Sequence, residues 1–278
     1  MRVSVKQLST FGVVLKTFPG GCPRKWGLQY LDKLKSEWLA PALVDGIKFH
    51  SVCASLVATG RMPEAGVLQP GVVLSHDDVL PESRLGRLAR AALICLPVRE
   101  YGTWAVEHVG SFPYVTSKGV HCTIDLRPDL TSEPLGAPQL GYLIDFKSTS
   151  NKRYALKSLA DDAQANVYSA GLMHMGAMSV LARWIYVDKN SYASWFVEHV
   201  FHREVVAAWM EKNVDPTIEL INTFRESGLS GMDLPADLEA CGGVGRFCDH
   251  AERCLVGPVG PLPSLIGLSE IVRYKEGI

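Results

Sequence analysis

The chain has 278 residues, and 47% of them are hydrophobic, which is enough to bury a sizeable core. Its 28 Lys and Arg residues nearly cancel its 29 Asp and Glu residues, which excludes a histone-like coating protein and leaves room only for a local basic patch. The first apolar stretch, residues 11–15, is too short for a signal-peptide core. The longer apolar run, 167–187, is interrupted by His174, Gly176 and Arg183, so we expect an intracellular protein.

Hydrophobic spacing predicts a mainly helical first third of the chain, followed by strands. Apolar residues recur at helical spacing in three segments, 26–34, 44–59 and 82–96. From Thr103 the pattern changes to alternation, which predicts a hairpin of residues 104–108 and 120–124.

The second half of the chain mixes strands and helices. A region rich in Pro, Gly, Ser and Thr predicts a loop at 126–139. The elements predicted after it are a buried strand at 142–144, a helix at 158–175, a hairpin of 179–187 and 193–202, and a helix at 203–224. This order predicts an α/β fold, with a mixed central β-sheet flanked by helices and an N-terminal helical region. We expect one domain, 1–278, divided into a mainly helical part (1–100), a chemical core (101–225) and a cysteine-bearing segment (226–278).

Two carboxylates and a lysine stand at predicted strand ends. Asp125 closes one apolar run, and Asp145 closes the next, with Lys147 two residues later. Strand alternation turns Asp145 and Lys147 to the same face. Two fixed carboxylates can hold a divalent ion that activates water, and an ammonium can neutralise developing charge, so the pattern is mechanically suited to a metal-dependent phosphodiesterase. The same short string is also common on exposed strands, where it forms only a salt bridge.

Three further residues gain meaning from their order along the chain. His50 follows Gly46 by four residues in a predicted helix, where by itself it is more often a core histidine than a ligand. Gln164 and Tyr168 share one face of the helix after Asp145, where they could equally be a surface pair.

These four motifs, in this order, resemble the RecB-like branch of the PD-(D/E)XK nuclease superfamily, which includes AddB-type and CRISPR-associated adaptation nucleases. The matching positions are Gly46 with His50, then Asp125, then Asp145 with Lys147, then Gln164 with Tyr168. The resemblance implies a restriction-endonuclease-like core and a deoxyribonuclease, with the activity of an exonuclease on DNA ends or single strands.

The resemblance also implies roles for individual residues. His50, Asp125, Asp145 and the backbone carbonyl of Phe146 would bind the metal, and Lys147 would be the catalytic lysine. Gln164 and Tyr168 would face the DNA backbone or brace the site. A mixed shell of imidazole and carboxylate accepts Mn²⁺ as readily as Mg²⁺, so we expect activity with either ion.

Four of the seven cysteines resemble the cluster ligands of several RecB-like nucleases, in which one N-terminal and three C-terminal thiolates bind a [4Fe-4S] cluster. Six residues separate Cys241 from Cys248, where two are usual in that family. Zinc would accept the same thiolates, with His250 as a substitute ligand, and a third alternative is that they bind nothing. The implied cluster ligands are Cys22, Cys241, Cys248 and Cys254. We expect the other three, Cys53, Cys95 and Cys122, to be core thiols.

A local basic run, Lys152, Arg153 and Lys157, follows the Asp145 strand and predicts contacts with DNA phosphates, although it could be a solvated helix start. We expect a role in recombination, repair or phage DNA metabolism, in the cytoplasm of a bacterial, archaeal or phage-infected cell. Two alternatives remain. One is a CRISPR adaptation nuclease that trims DNA fragments with adaptation proteins as partners, and the other is a non-catalytic DNA-binding scaffold.

Overall fold

The computed structural model describes residues 1–11, 22–34, 41–97, 104–107, 109–132, 140–152, 155–156, 158–234 and 254. The chain forms two compact units, each assembled from separate stretches of sequence. One comprises Leu39–Phe112 and Asp125–Trp209, and the other comprises Met1–Trp38, Pro113–Ile124 and Met210–Ile278. We refer to them as the sheet unit and the terminal unit. The expectation of one domain with three consecutive parts stays a prediction.

A five-stranded mixed sheet forms the centre of the sheet unit. The two parallel strands, β8 (Leu140–Thr149) and β9 (Ser179–Asp188), are connected by helix α5 (Ala163–His174), because parallel neighbours need a crossover. The other strand pairs of this sheet are antiparallel. The predicted mixed sheet and the predicted hairpin near residue 190 are confirmed. In spatial order the strands are β10 (Ser194–His202), β9 (Ser179–Asp188), β8 (Leu140–Thr149), β7 (Leu130–Ser132) and β4 (Trp104–Val106).

One face of this sheet is covered by helices α3 (Pro41–Thr59) and α4 (Arg84–Leu93). Their apolar residues share a buried core with Ile144 and Phe146 of β8. Since neighbouring side chains in a strand point to opposite faces, Asp145 is turned away from this core. Helix α3 is also the one helix in the described part of the chain that is long and apolar enough, by length and composition, to cross a membrane.

The terminal unit contains mainly short helices. Gly27 and Gly231 pack so closely that a Cβ on Gly27 would lie 2.5 Å from the Gly231 Cα, and only glycine permits this approach. Its elements include β1 (Arg2–Ser4), α1 (Val5–Phe11), α2 (Pro23–Tyr30), α7 (Asp215–Glu226) and a 3₁₀ turn (Gly231–Asp233). Strand β1 belongs to a three-stranded sheet with the order β1-β6-β5, where β5 is Gly110–Val115 and β6 is His121–Leu126.

Several predicted elements were wrong in detail. The first third contains strands as well as helices, including the hairpin of β2 (Gly66–Gln69) and β3 (Val72–Leu74). Strand β7 lies inside the predicted loop, and β4 pairs with β7, while β5 is the neighbour of β6. The predicted C-terminal helix is two helices, α6 (Arg203–Asn213) and α7, because Pro216 lacks the N–H that a continuous helix needs.

Candidate active site

Asp145 and Lys147 project from β8 on the face opposite the α3/α4 core. Phe146, which lies between them, is 1% exposed and packs in that core. In the parallel register with β9, Asp145 lies beside Trp184 and Lys147 beside Tyr186. The Lys147 Nζ is 2.6 Å from the Asp145 Oδ2. The predicted placement of both side chains on one face is therefore confirmed.

Gln164 joins both members of this pair from the first turn of α5. The helix begins after Asp162, whose side chain accepts a hydrogen bond from the Ala165 amide and caps the helix. The Gln164 Nε2 donates to the Asp145 Oδ1 (2.7 Å), and its Oε1 accepts from the Lys147 Nζ (3.1 Å). A carboxylate, an ammonium and an amide thus form a closed ring of contacts, which we call the Asp145 network. Gln164 thus contacts both charged groups, and its predicted role of facing DNA or bracing the site stays a prediction.

Tyr168 lies one helical turn after Gln164 and is buried. Its hydroxyl donates to the backbone carbonyl of Arg127 (3.2 Å). Burial raises the pKa of this phenol, so it remains a neutral donor at physiological pH. Tyr168 therefore holds the chain segment that runs from β6 into β7.

Asp129 is a site residue that the sequence reasoning missed. Its Oδ1 lies 2.7 Å from the His50 Nδ1 of α3, and its Oδ2 accepts from the Phe146 amide at 2.7 Å. The strand register pairs Leu130 with Ile144, which places Asp129 next to Asp145 across the ladder. One carboxylate thus connects α3, the start of β7 and the middle of β8.

Asp125, the predicted metal ligand, lies in β6 four residues before Asp129 and is partly buried. Two later residues of the same segment, Arg127 and Asp129, contact Tyr168 and His50 respectively. A ligand role for Asp125 stays a prediction. The carboxylate that contacts His50 in the structure is that of Asp129.

The charges of the site influence one another strongly. Burial raises the pKa of the Asp145 carboxyl against the attraction of Lys147, and the nearby charge of Asp129 adds to that rise. Burial alone would lower the pKa of Lys147, but the ion pair with Asp145 outweighs it and raises this pKa to about 12. Lys147 therefore stays an ammonium at neutral pH and acts there as a fixed positive charge.

His50 is subject to the same opposing effects. Burial lowers its pKa, but the hydrogen bond to Asp129 and the charges of Asp129 and Asp145 raise the pKa above its usual 6.5. A hydrogen bond to Nδ1 also fixes the orientation of the ring, as partners of ligating histidines do in metal sites.

The donors of the site suit a hard divalent ion. Within the described ranges, no three His, Cys, Asp or Glu side chains are grouped so that they could hold a metal, and the site residues are hydrogen-bonded to one another. The buried Asp145 Oδ2 has the Lys147 ammonium at 2.6 Å as its partner and accepts no further hydrogen bond from the described residues. In a strand, the N–H and C=O of one residue point to the same side, so the Phe146 carbonyl is directed towards Asp129. Carboxylate and carbonyl oxygens of this kind are the ligands that Mg²⁺ and Mn²⁺ accept.

Two of the four predicted cluster cysteines lie within the described residues. Cys22 is buried and directly precedes α2, and the Arg24 Nη1 donates to the Cys254 Sγ at 3.6 Å. Cys241 and Cys248 lie outside the described residues. Cys53 and Cys122 are buried core thiols as predicted, and burial raises the pKa of both. Cys95 is partly buried.

The predicted basic run can be placed only in part. Lys152 is exposed, and its ammonium lies over the ring of Trp195. Arg153 and Lys157 lie outside the described residues. Contact of this run with DNA stays a prediction.

A family model described as the PD-(D/E)XK nuclease superfamily matches residues 4–255 of the chain. No curated protein sequence is significantly similar to it. Among solved structures, a "putative exonuclease" from Eubacterium rectale is 11% identical with a TM-score of 0.49, and covers 100% of this chain and 94% of its own. A protein named SSO0001 is 14% identical with a TM-score of 0.41, and covers 80% of this chain and 77% of its own.

The name of the matched family contains the signal that would have found Asp129. Pro128 and Asp129 form a Pro-Asp pair, and Asp145 and Lys147 supply the Asp-x-Lys that follows it. This Pro-Asp pair lies in a segment whose composition is typical of a loop, so strand-end spacing did not indicate it.

Proposed function

Because the chain belongs to the PD-(D/E)XK nuclease superfamily, we propose that it is a Mg²⁺- or Mn²⁺-dependent exonuclease that hydrolyses DNA at ends or in single strands. The observation that carries the proposal is the Asp145 network beside Asp129. Asp145, Lys147 and Gln164 are held by contacts with one another, and Asp129, directly before β7, is held by His50 and by the Phe146 backbone amide. Such fixed charges stabilise a transition state at little cost of reorganisation.

The metal would be held by His50, Asp129, Asp145 and the Phe146 carbonyl, with Asp125 as the alternative carboxylate. When bound, the ion polarises the phosphodiester and lowers the pKa of a coordinated water. Histidine in this set supports the expectation that Mn²⁺ replaces Mg²⁺.

The other residues of the site supply a positive charge and hold the charged groups in position. Lys147 presents a permanent positive charge near the reacting phosphate, since its pKa is about 12. Gln164 keeps that ammonium and the Asp145 carboxylate at a fixed separation through its two hydrogen bonds. Tyr168 holds the backbone two residues before Asp129 and so fixes the position of that carboxylate.

A direct assay tests this proposal. Single- and double-stranded DNA labelled at the 5′ or the 3′ end is incubated with the protein and Mg²⁺, Mn²⁺ or EDTA. We expect mononucleotides or short fragments to be released progressively from one end with either ion, and no cleavage in EDTA. The control for contaminating nucleases is Asp145→Asn protein purified in parallel. Equal cleavage by both proteins would contradict the proposal, and failure of Mn²⁺ alone would argue against His50 as a ligand.

For the terminal unit, we propose that Cys22, Cys241, Cys248 and Cys254 bind a [4Fe-4S] cluster with a structural role. The contact of Arg24 with Cys254 supports this assignment, because it brings a C-terminal cysteine to the helix that starts directly after Cys22. A cluster that joins cysteines more than two hundred positions apart reduces the conformational entropy of the unfolded chain and so stabilises the folded state.

Anaerobic purification followed by visible absorbance and iron analysis tests the cluster. We expect a brown protein with iron and sulfide, and loss of both together with a lower melting temperature in Cys254→Ser. Cys95→Ser is the matched control, since Cys95 lies in the sheet unit. A colourless, iron-free protein that carries zinc would exclude the cluster.

A further inference from the structure

A second group of side chains lies beside the Asp145 network on the same face of the sheet. The strand registers place Lys147 of β8 opposite Tyr186 of β9, and Tyr186 opposite Trp195 of β10. Direct partners in neighbouring strands present their side chains on one face. An unbroken row therefore leads from Lys147 to the outer strand of the sheet.

The outer part of this row is an aromatic stack with a cation above it. The rings of Tyr186 and Trp195 are 5.5 Å apart between centroids and inclined by only 12°. Tyr186 is buried, and its hydroxyl accepts a hydrogen bond from the Leu156 amide at 3.1 Å. The Lys152 Nζ lies 5.3 Å from the centroid of the Trp195 ring. Trp195 is only partly buried, so an anchored tyrosine supports an indole that solvent can reach.

We propose that Trp195 is a stacking platform for a base of single-stranded DNA, that Lys152 binds the adjacent phosphate, and that the row guides the strand to Lys147. This inference rests on the proposed nuclease function and specifies its substrate class. A ring supported from behind by Tyr186 stacks on a base without having to be ordered first, and every base has a face that can stack. The exposed cation–π contact of Lys152 is weaker than base stacking, so a base can take the place of the ammonium, which then moves to a phosphate.

Single strands are favoured over duplex because bases within a duplex already stack on their neighbours. A base can reach Trp195 only where the strand is unpaired or frayed. We therefore expect the row to favour single strands or DNA ends that have opened, and to act through binding of the strand.

Binding is measured by fluorescence anisotropy of a labelled oligonucleotide of about 12 nucleotides, within the span of common single-strand sites. The Asp145→Asn background prevents cleavage during the measurement. We expect Trp195→Ala to weaken binding of the single strand about tenfold and Trp195→Phe to retain most of it. The matched control is Phe196→Ala, which removes the exposed neighbour on the opposite face of β10. It should leave binding unchanged.

A strand with abasic sites separates base stacking from packing. Without bases to stack, the strand should bind the Trp195-containing protein about as weakly as the normal strand binds Trp195→Ala, and the variant should not distinguish the two strands. If Trp195→Ala fails to fold, comparison of the normal and abasic strands on the Trp195-containing protein still shows whether base stacking contributes to binding. The platform proposal would be overturned if the Trp195-containing protein bound normal and abasic strands equally. It would also be overturned if Trp195→Ala weakened duplex binding as much as single-strand binding.

Cleavage by the otherwise native protein separates this inference from the nuclease proposal. We expect Trp195→Ala to raise KM for single strands with little change in kcat, because binding and not chemistry is lost. If the native protein binds strands through Trp195 but never cleaves them, the nuclease proposal fails and the platform stands. If it cleaves and Trp195→Ala has an unchanged KM, only the platform fails.

Discussion

Replacement of Asp129 by asparagine is expected to slow DNA cleavage on the order of a thousandfold, more than the same change at Asp125. A metal ion held by Asp129 would contribute several kcal/mol of transition-state stabilisation, and each ~1.4 kcal/mol is about a tenfold change in rate. The asparagine side chain would still accept the hydrogen bond from the Phe146 amide, so the β7–β8 connection should persist while the negative charge is lost. The measurement is kcat/KM on labelled DNA over a range of Mg²⁺ concentrations.

Comparison of the Asp125→Asn and Asp129→Asn variants shows which carboxylate binds the metal. Melting temperatures of both variants should stay close to that of the native protein, so that lost activity can be attributed to chemistry. A much larger loss in Asp125→Asn than in Asp129→Asn would show that the metal binds at β6, and the Asp129 assignment would then be wrong. Similar large losses would mean that both carboxylates serve the ion.

Replacement of Lys147 by methionine is expected to reduce kcat about a hundred- to a thousandfold, the usual cost of removing one electrostatic stabiliser from an active site. Methionine keeps the length of the side chain and removes only the ammonium. The loss should appear in kcat and in kcat/KM together, because the charge acts mainly in the transition state. DNA binding measured without cleavage should change far less.

Lys118→Met is the matched control for this experiment. Lys118 is 78% exposed and pairs with Glu219 in the terminal unit, and an exposed ion pair of this kind contributes little to stability. We expect native activity from it. If Lys147→Met retained full activity, Lys147 would be no more than the structural partner of Asp145.

Much of the sheet was predictable because its signals are local. The alternation in β9 and β10 and the buried run of β8 are properties of neighbouring residues, and their hairpin and central strand were predicted. The short strands β2, β3 and β7 were missed, since three or four residues carry too little periodicity to distinguish them from a loop. The pairing of β4 with β7 was unpredictable for another reason, namely that pairing depends on contacts between distant parts of the chain.

The residues of the candidate site were likewise predictable only in part. The family resemblance of the ordered motifs identified His50, Asp145, Lys147, Gln164 and Tyr168. In the structure, Gln164 contacts both Asp145 and Lys147, His50 contacts Asp129, and Tyr168 contacts the Arg127 carbonyl. Asp125 and Asp129 both stand near the end of a strand, so spacing alone could not choose between them. The register of Leu130 against Ile144, which only the structure gives, places Asp129 beside Asp145, and the ligand role of either carboxylate stays a proposal.

By itself, the sequence determined the order of the motifs and the shared face of Asp145 and Lys147, because strand alternation is a property of consecutive residues. It also determined the superfamily to which the chain belongs. Only the tertiary structure decided that Asp129 bridges His50 and the Phe146 amide, and that Tyr186 and Trp195 continue the row from Lys147. The contacts of Asp129 join residues far apart in sequence, and the row from Lys147 depends on the exact registers of β8, β9 and β10. Both depend on the packing of the whole sheet and leave no local pattern.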